Sequence, residues 1–181
     1  MGVTREVARL CRDGIDFAWR LSLADVGTSG AFSEFDGYDR TITLLDGEGF
    51  SLNFEDGRQK IMDTPYVPYD FDGGAPLCCN LLGGPSRDLN LIIHREEAQA
   101  TCTVDNLDAP LTLGPLTLGT RAQATQLIFC LQGRTHLKSS QGEHHVLDRW
   151  DSMELDAGTT ISLTADPDSP PKIFHATIGS R

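Results

Sequence analysis

Residues 17–26 read F-A-W-R-L-S-L-A-D-V, and residues 30–49 read G-A-F-S-E-F-D-G-Y-D-R-T-I-T-L-L-D-G-E-G. Together they predict a strand, a loop and a second strand. In the first stretch the side chains alternate with a period of two, which places the tryptophan and the leucines on one face and Arg20 and Ser22 on the other. The polar face either contacts water or lines the inside of a barrel, and these alternatives imply different functions.

Short strand-like segments of this kind recur along the whole chain. Asp-Gly and Gln-Gly pairs separate many of them and supply the positive φ angles that hairpins use. No segment longer than about ten residues keeps a 3.6-residue apolar period. We therefore predict an all-β, mostly antiparallel sandwich or barrel, with a short helix or an ordered loop over Thr28–Asp39. The predicted strands are Phe17–Ala24, Arg40–Asp46, Gly49–Phe54, Lys60–Met62, Leu77–Leu82, Asp88–His94, Ala100–Val104, Ala124–Cys130, Thr135–Ser139, His144–Leu147, Ser152–Leu155, Thr160–Thr164 and Lys172–Thr177.

These strands fall into two series with a similar rhythm, which predicts two related β-barrel units. D-R-T-I-T-L-L-D-G-E-G-F-S-L in the first series and T-Q-L-I-F-C-L-Q-G-R-T-H-L in the second both end a β-rich run in a turn. The junction is predicted near Leu107–Ala122, where five leucines favour a packed crossover strand. We expect an N-terminal barrel over residues 1–106 and a C-terminal barrel over residues 107–181, packed tightly as one unit.

The charge of the chain restricts its partners. The formal net charge of the 181 residues is -11, so phosphate backbones and anionic membranes are repelled, and we expect neither nucleic-acid nor membrane binding. No apolar run reaches the roughly 18 residues of a transmembrane helix, and M-G-V-T-R-E-V contains no apolar leader. The cytoplasm is therefore the expected location, and an anionic ligand would need a local basic pocket.

Cysteine usage points to a reducing compartment. The chain has five cysteines, an odd number, and no C-x-x-C pair. Free buried thiols are therefore favoured over a disulfide framework or a zinc site. Cys78 and Cys79 lie in the apolar segment L-C-C-N-L-L, and both are predicted to lie in the core.

Several motifs, in order along the chain, resemble those of the HutD/Ves family. They are T-R-E-V at Thr4–Val7, D-F-A-W-R-L-S-L-A-D-V at Asp16–Val26, G-A-F-S-E-F-D-G-Y-D-R-T-I-T-L-L-D-G at Gly30–Gly47 and R-D-L-N-L-I-I-H-R at Arg87–Arg95, with I-F-C-L-Q-G following more loosely in the second half. Together they cover nearly the whole chain. The resemblance implies a cupin-like fold of two β-barrels, a bicupin.

The chain departs from the family pattern at its beginning. Family members carry an aromatic-basic-Asn-small-small-Gly segment before T-R-E, whereas this chain opens at Met1-Gly2-Val3. We therefore expect an N-terminally shortened first barrel that lacks its first strand. Asp36 also replaces the proline that precedes the glycine of the family's F-x-G motif.

Polar residues on three predicted strands form a candidate ligand site. Asp88 and Asn90 share a strand face, as Arg20 and Ser22 do, and Arg40 lies on a third strand. Guanidinium forks suit a carboxylate, and a small barrel commonly holds one ligand. The alternation by itself favours solvated faces, whereas the family resemblance favours their convergence on a pocket.

Thr4 and Glu6 complete the set of candidate ligand-binding residues. In one interpretation they reach the same pocket as the strand residues. In the other they carry ordinary surface polarity on a frayed terminus. The residues themselves leave both interpretations open.

The sequence predicts no metal and no cofactor. Many cupins bind a metal through H-x-H, a glutamate and a later histidine, and this chain has no H-x-H. His144 and His145 are adjacent, so on a strand they point to opposite faces and do not easily share one ion. The chain also has no G-x-S-x-G elbow and no phosphate-binding loop that ends in Gly-Lys-Ser/Thr.

The resemblance implies a small-molecule binding protein beside histidine utilisation, with urocanate or a formylated glutamate intermediate as the carboxylate ligand. One alternative is a metal-free cupin enzyme that acts on a small carboxylic acid, with Asp88 or Glu6 as general base. A third interpretation is a stress-associated, Ves-like protein without a ligand. The expected partner is a small organic acid, and a homodimer is also considered.

Overall fold

The computed structural model describes residues 2–114, 117–118, 122–155 and 158–181, and these residues form strands joined by turns and loops. The chain divides into two compact units, Met1–Ala98 and Gln99–Arg181. No helix occurs among the described residues. The predicted all-β fold is therefore confirmed.

The first unit consists of two antiparallel sheets. The five-stranded sheet has the order β1-β2-β9-β4-β7, and the four-stranded sheet has the order β3-β8-β5-β6. The strands are β1 (Val3–Arg12), β2 (Ile15–Val26), β3 (Gly30–Ala31), β4 (Tyr38–Asp46), β5 (Phe50–Phe54), β6 (Gln59–Met62), β7 (Pro68–Asp72), β8 (Leu77–Leu81) and β9 (Ser86–His94).

An apolar cluster fills one part of the space between these two sheets. Ile42 and Leu44 of β4 contribute from the five-stranded sheet, and Phe50 and Leu52 of β5 contribute from the other. All four side chains are fully buried. Burial of this apolar surface is the main favourable term for folding of the unit.

The register of β9 decides which side chains share the inner face with this cluster. Asn90 lies opposite Ser22 of β2 and Ile42 of β4. Asp88 and Asn90 therefore point to the same side of the sheet as Ile42, because side chains directly opposite each other share a face. A slip of one residue would exchange the two faces.

The outer face of the same sheet is buried as well. Trp19, Leu21, Leu89 and Leu91, which alternate with the polar residues, are all nearly inaccessible to solvent. The period of two in residues 17–26 therefore separates two buried faces. The alternative in which the polar face is solvated is wrong, because Ser22, Asp88 and Asn90 are buried too.

The second unit contains strands on either side of an apolar core. Its sheets have the orders β10-β19-β14-β17, β11-β18-β15-β16 and β12-β13. The strands are β10 (Ala98–Asn106), β11 (Leu111–Leu113), β12 (Thr117–Leu118), β13 (Ala122–Gln123), β14 (Thr125–Gln132), β15 (Thr135–Ser139), β16 (His144–Leu147), β17 (Ser152–Leu155), β18 (Ile161–Ala165) and β19 (Lys172–Ser180). Apolar residues from these strands, including Ile128, Leu163 and Ile173, pack together at full burial.

Each of the thirteen predicted strands overlaps an observed strand, but sequence patterning missed several others. The segment Val3–Arg12 forms β1 and pairs with β2, so Thr4 and Glu6 belong to a strand and not to a frayed terminus. The segment Pro68–Asp72 forms β7 at the other edge of the sheet. The edge strand β1 lacks a clear apolar period, which is the signal that the prediction used, whereas β7 and the residue before it carry a short alternation of Val67, Tyr69 and Phe71 that the prediction overlooked. Thr28–Asp39 contains the short strand β3 and turns, without a helix.

Two local predictions have mixed outcomes. Of the junction leucines, Leu107 and Leu113 are buried in the second unit's core and Leu111 packs against it, while Leu116 lies outside the described residues. Cys79 is buried, but Cys78 is exposed, so its predicted place in the core is wrong. Adjacent residues of a strand point to opposite faces, so only one of this pair can face the core cluster.

The described part of the chain contains no helix that is long and apolar enough to cross a membrane.

Two glycines with almost the same backbone angle differ in their surroundings. Gly49 has φ 90° and Gly57 has φ 89°. A Cβ at Gly49 would overlap the backbone oxygen of Met62, whereas a Cβ at Gly57 would meet no atom within 4 Å. The two positions therefore separate backbone strain from steric overlap.

We expect Gly57→Ala to lower the free energy of unfolding by about 1 kcal/mol, which is the cost of a left-handed alanine. Gly49→Ala adds a backbone clash and should cost about 3 kcal/mol or more. Chemical denaturation of both variants measures the difference. Equal effects of the two substitutions would contradict the close approach of Gly49 to the backbone at Met62, the end of β6.

Candidate functional site

A cavity of about 500 Å³ lies in the first unit and is lined by residues of its sheets and of the loop after β2. Five of the seven residues predicted from the sequence line it. These residues are Thr4, Arg20, Ser22, Arg40 and Asn90. The side chains come from β1, β2, β4 and β9, which are neighbours in the five-stranded sheet.

Arg40 is the most strongly constrained of the lining residues. Its Nε and Nη2 donate to Asn90 Oδ1 at 3.3 Å and 2.7 Å, and its Nη1 donates to the Ser33 carbonyl oxygen at 2.9 Å. An arginine has five N–H donors, so two of them have no partner among the described residues. The guanidinium is therefore held in place and still has donors available for a ligand.

Aromatic rings surround the Arg40 guanidinium. Its central carbon lies 4.6 Å from the centroid of Phe32, 5.3 Å from that of Phe35 and 5.1 Å from that of Phe71. Ring faces attract a cation, and the attraction grows when water is excluded. These contacts help to offset the cost of burying a side chain that is only 5% exposed.

Arg20 has no such polar partners. Its Nε is buried and has no hydrogen-bond partner among the described residues. The guanidinium lies 4.8 Å from the ring centroid of Phe17 and 5.1 Å from that of Phe35. A buried donor without a partner is costly, so Arg20 is the group in the cavity that most needs an acceptor.

Asn90 connects Arg40 to Asp88. While its Oδ1 accepts from Arg40, its Nδ2 donates to Asp88 Oδ1. Asp88 is 0% exposed, and its second oxygen, Oδ2, has no hydrogen-bond partner among the described residues. Asp88 therefore lies behind the cavity wall and contacts the cavity only through Asn90.

Burial shifts the pKa values of Arg40 and Asp88, the two charged residues that Asn90 connects. Desolvation raises the pKa of Asp88 to about 7, against the opposing effects of Arg40 and of the hydrogen bond from Asn90. Desolvation likewise lowers the pKa of Arg40 to about 10, although Asp88 raises it, and Arg20 lowers it further. Near neutral pH the cavity therefore contains two cations, and the nearest buried carboxyl is only partly ionised.

Glu6 and Asp88, the two candidate general bases, do not line the cavity. Glu6 is exposed and pairs with Arg9 at 3.4 Å. The Glu6 backbone lies opposite Ser22 of β2 in the register, but the Glu6 side chain is directed along β1 to Arg9. A general base must reach the proton that it abstracts, so neither carboxyl is placed for that role in this structure.

Sequence reasoning missed the contribution of the loop between β3 and β4. Phe32 and Phe35 contact the guanidinium groups, and the Ser33 carbonyl accepts from Arg40. The segment F-S-E-F lies within a motif that resembles the family's, and the motif by itself assigns its aromatic residues no role at a site. The signal was the pair of phenylalanines close to a strand arginine in a segment rich in turn residues.

Other reactive groups near the site are not arranged for chemistry. Cys79 lines the cavity, but burial raises the pKa of its thiol to about 12, with Asp88 and Cys78 adding to the shift. The thiolate, which is the nucleophilic form, is therefore disfavoured. Within the described residues, no group of three or more His, Cys, Asp or Glu side chains could hold a metal ion.

The chain matches the family model named HutD over residues 1–170. It is 46% identical over 100 residues to an uncharacterized 21.2 kDa protein in the hutC 3' region of Pseudomonas putida, a stretch that covers 55% of this chain and 52% of the relative. It is 33% identical over 104 residues to Protein Ves of Citrobacter koseri, covering 57% of this chain and 54% of the relative. The aligned part of the chain thus spans about half the length of these curated relatives.

Solved structures agree with the observed architecture. The structure of HutD from Pseudomonas fluorescens SBW25 superposes with a TM-score of 0.80 at 30% identity, covering 99% of this chain and 89% of the other. A cupin 2 conserved barrel domain protein from Leptotrichia buccalis gives a TM-score of 0.64 at 11% identity, covering 99% and 89%. The second likeness shows the fold alone, and it confirms the predicted cupin-like architecture.

The raised pKa of Asp88 predicts how stability depends on pH. The carboxyl keeps its proton in the folded state up to about pH 7, whereas in the unfolded chain it ionises near pH 4. The unfolded state therefore binds fewer protons between these values, and Asp88 makes the fold less stable as pH rises through this window.

Asp88→Asn removes this titration. We expect the free energy of unfolding of the variant, relative to wild type, to rise by about 3 kcal/mol between pH 4.5 and pH 7.5. Urea denaturation of both proteins at the two pH values measures the change. A difference between the proteins that stays constant with pH would show that Asp88 ionises normally in the fold.

Proposed function

The chain belongs to the HutD family, and on that premise we propose that its first unit binds a small carboxylic acid in the cavity lined by Arg20 and Arg40. The observation that carries the proposal is a cavity lined by Arg20 and Arg40 in a chain of net charge -11, with the buried Arg20 Nε lacking a hydrogen-bond partner among the described residues. A carboxylate would supply the missing acceptor and would neutralise part of the local positive charge.

The second arginine makes this carboxylate site more selective. Arg40 has two N–H donors without a partner among the residues that the structure describes, and its orientation is set by Asn90 and Ser33. A planar acid group can accept hydrogen bonds from such a preorganised fork without first ordering a flexible side chain. Phe35 contacts both guanidinium groups, so the carbon skeleton of an acid can lie against an aromatic surface.

We further propose that the acid belongs to histidine utilisation and that the protein regulates this process, with urocanate or a formylated glutamate intermediate as the ligand. The support comes from two relatives: one lies in the hutC 3' region of Pseudomonas putida, and the other is the HutD protein of Pseudomonas fluorescens. Both acids carry a carboxylate, and a cavity of about 500 Å³ is of the size that small-molecule sites have.

The alternatives have less support. A Ves-like protein without a ligand would be expected to fill its barrel with side chains, whereas a cavity lies between these sheets. An enzyme that uses Asp88 or Glu6 as general base has no support from the positions of those carboxyls. The cytoplasm remains the proposed location, because all five cysteines are free thiols, as in a reducing compartment.

A thermal-shift experiment tests ligand binding. Urocanate and N-formylglutamate, each at millimolar concentration, should raise the Tm of the full chain by roughly 5 °C if the concentration is about 100 times Kd. Arg20→Gln should abolish the shift. The Arg20 Nε has no hydrogen-bond partner among the described residues, so the substitution removes only the contacts with Phe17 and Phe35 and should lower the Tm of the ligand-free protein only slightly.

Arg58→Gln is the matched control. Arg58 also lies in the first unit and contacts an aromatic ring, Phe54, but it does not line the cavity. This variant should keep the full ligand-induced shift. The absence of a shift with both acids in the wild type would overturn the proposed function, and an equal loss of the shift in both variants would overturn the role of Arg20.

A further inference from the structure

Three buried side chains form a hydrogen-bonded series that runs inward from the cavity wall. Arg40 donates from Nε and Nη2 to Asn90 Oδ1, and Asn90 donates from Nδ2 to Asp88 Oδ1. Arg40 is 5% exposed, Asn90 3% and Asp88 0%. Arg40 lies at the cavity end of the series and Asp88 at the buried end.

The hydrogen-bonding chemistry of Arg40 and Asp88 restricts which residue can lie between them. A guanidinium only donates, and a carboxylate only accepts. The middle residue must therefore accept at one end and donate at the other, which the asparagine amide does without adding charge. As a result, Asp88 does not form a direct ion pair with Arg40, and the Arg40 cation stays available to a ligand.

Apart from Arg40 and the hydrogen bond from Asn90, the surroundings of Asp88 give its negative charge little support. Asp25 on β2 and Cys79 on β8 are the other titratable groups that interact with it, and ionisation of either would disfavour its negative charge. Its Oδ2 is buried and has no hydrogen-bond partner in the part of the chain that the structure describes. Asp88 therefore depends on the Arg40 cation to stay ionised, and a ligand carboxylate on Arg40 would weaken that support.

We propose that Asp88 is a positioning and charge-balancing residue: through Asn90 it orients Arg40 toward the cavity, and it becomes more fully protonated from solvent when an anion binds to Arg40. The proton adds to a carboxylate oxygen, for which the unpartnered Oδ2 is available, and converts the carboxylate to a neutral carboxylic acid. The inference rests on the proposed function and specifies how the same site is regulated by pH.

Proton uptake fixes the sign of the pH dependence. The anion binds more tightly to the protein in which Asp88 is protonated, so affinity falls as pH rises through the neutral range. A coupling of about one pKa unit corresponds to a tenfold change in affinity. We therefore expect the affinity for a carboxylate to fall about tenfold between pH 6 and pH 8.5.

Isothermal titration calorimetry of the wild-type chain with N-formylglutamate measures this coupling. The probe has no group that titrates between pH 6 and 8.5, unlike urocanate with its imidazole. Titrations near pH 7.5 in HEPES and in Tris, which differ in ionisation enthalpy, report the number of protons taken up. In the wild type we expect an uptake between zero and one proton. In Asp88→Asn both this uptake and the pH dependence of affinity should disappear.

The exchange variant D88N/N90D tests the spacer role of Asn90. Asp at position 90 can accept directly from Arg40, and Asn at position 88 can donate to it, so the buried groups remain hydrogen-bonded. The carboxylate then contacts Arg40, and we expect about tenfold weaker binding of N-formylglutamate without proton uptake. The control Asp70→Asn changes an exposed carboxylate that accepts from Thr41, and it should bind as the wild type does.

The outcomes separate this inference from the proposed function. If neither urocanate nor N-formylglutamate binds the wild type, the proposed function fails and this inference fails with it. If N-formylglutamate binds without proton uptake, or if Asp88→Asn keeps the uptake, only the role of Asp88 is overturned. The wild-type titrations need no variant, so a folding defect in Asp88→Asn would not prevent the test.

Discussion

The antiparallel register of Ser86–His94 between its two neighbouring strands is the constraint on which the site depends. It sets Asn90 opposite Ser22 on one side and Ile42 on the other. Since side chains directly opposite each other share a face, this pairing puts two arginines, an asparagine and an aspartate on the inner face of one sheet. Apolar residues on both faces hold the register, because a slip by one residue would exchange the buried sets.

The inner face combines an apolar cluster with a polar site, and burying the polar groups lowers the free energy of unfolding. Removing two guanidinium groups and a carboxyl from water is unfavourable unless partners replace the lost hydration. Phe32, Phe35 and Phe71 surround Arg40, and Asn90 links it to Asp88. The compensation is incomplete at Arg20 and at Asp88 Oδ2. Incomplete compensation of buried polar groups is characteristic of sites that a ligand completes.

The second unit shows how the same class of fold is used without buried charges among its described residues. Its core cluster is apolar and includes Ile128, Leu163 and Ile173, and its buried polar residues are the uncharged Gln126, Thr135, Ser139 and Thr177. A core without buried charges stabilises the unit without their desolvation cost. Buried charges are thus not a necessary consequence of two small antiparallel sheets but a property of particular residues in the first unit.

Alternation and turn signals were sufficient to predict from the sequence an all-β chain, most of its strands, and the sharing of strand faces by Arg20 with Ser22 and by Asp88 with Asn90. They did not identify the edge strands Val3–Arg12, which has no clear apolar period, and Pro68–Asp72, whose alternation is only a few residues long. Periodicity along one strand says which residues share a face, but not whether that face meets water, because that depends on a second sheet and on a loop distant in sequence. Only the tertiary structure decided that the polar face is buried and that the Phe32–Phe35 loop covers the arginines. It also decided that Asp88 lies behind Asn90 and does not line the cavity.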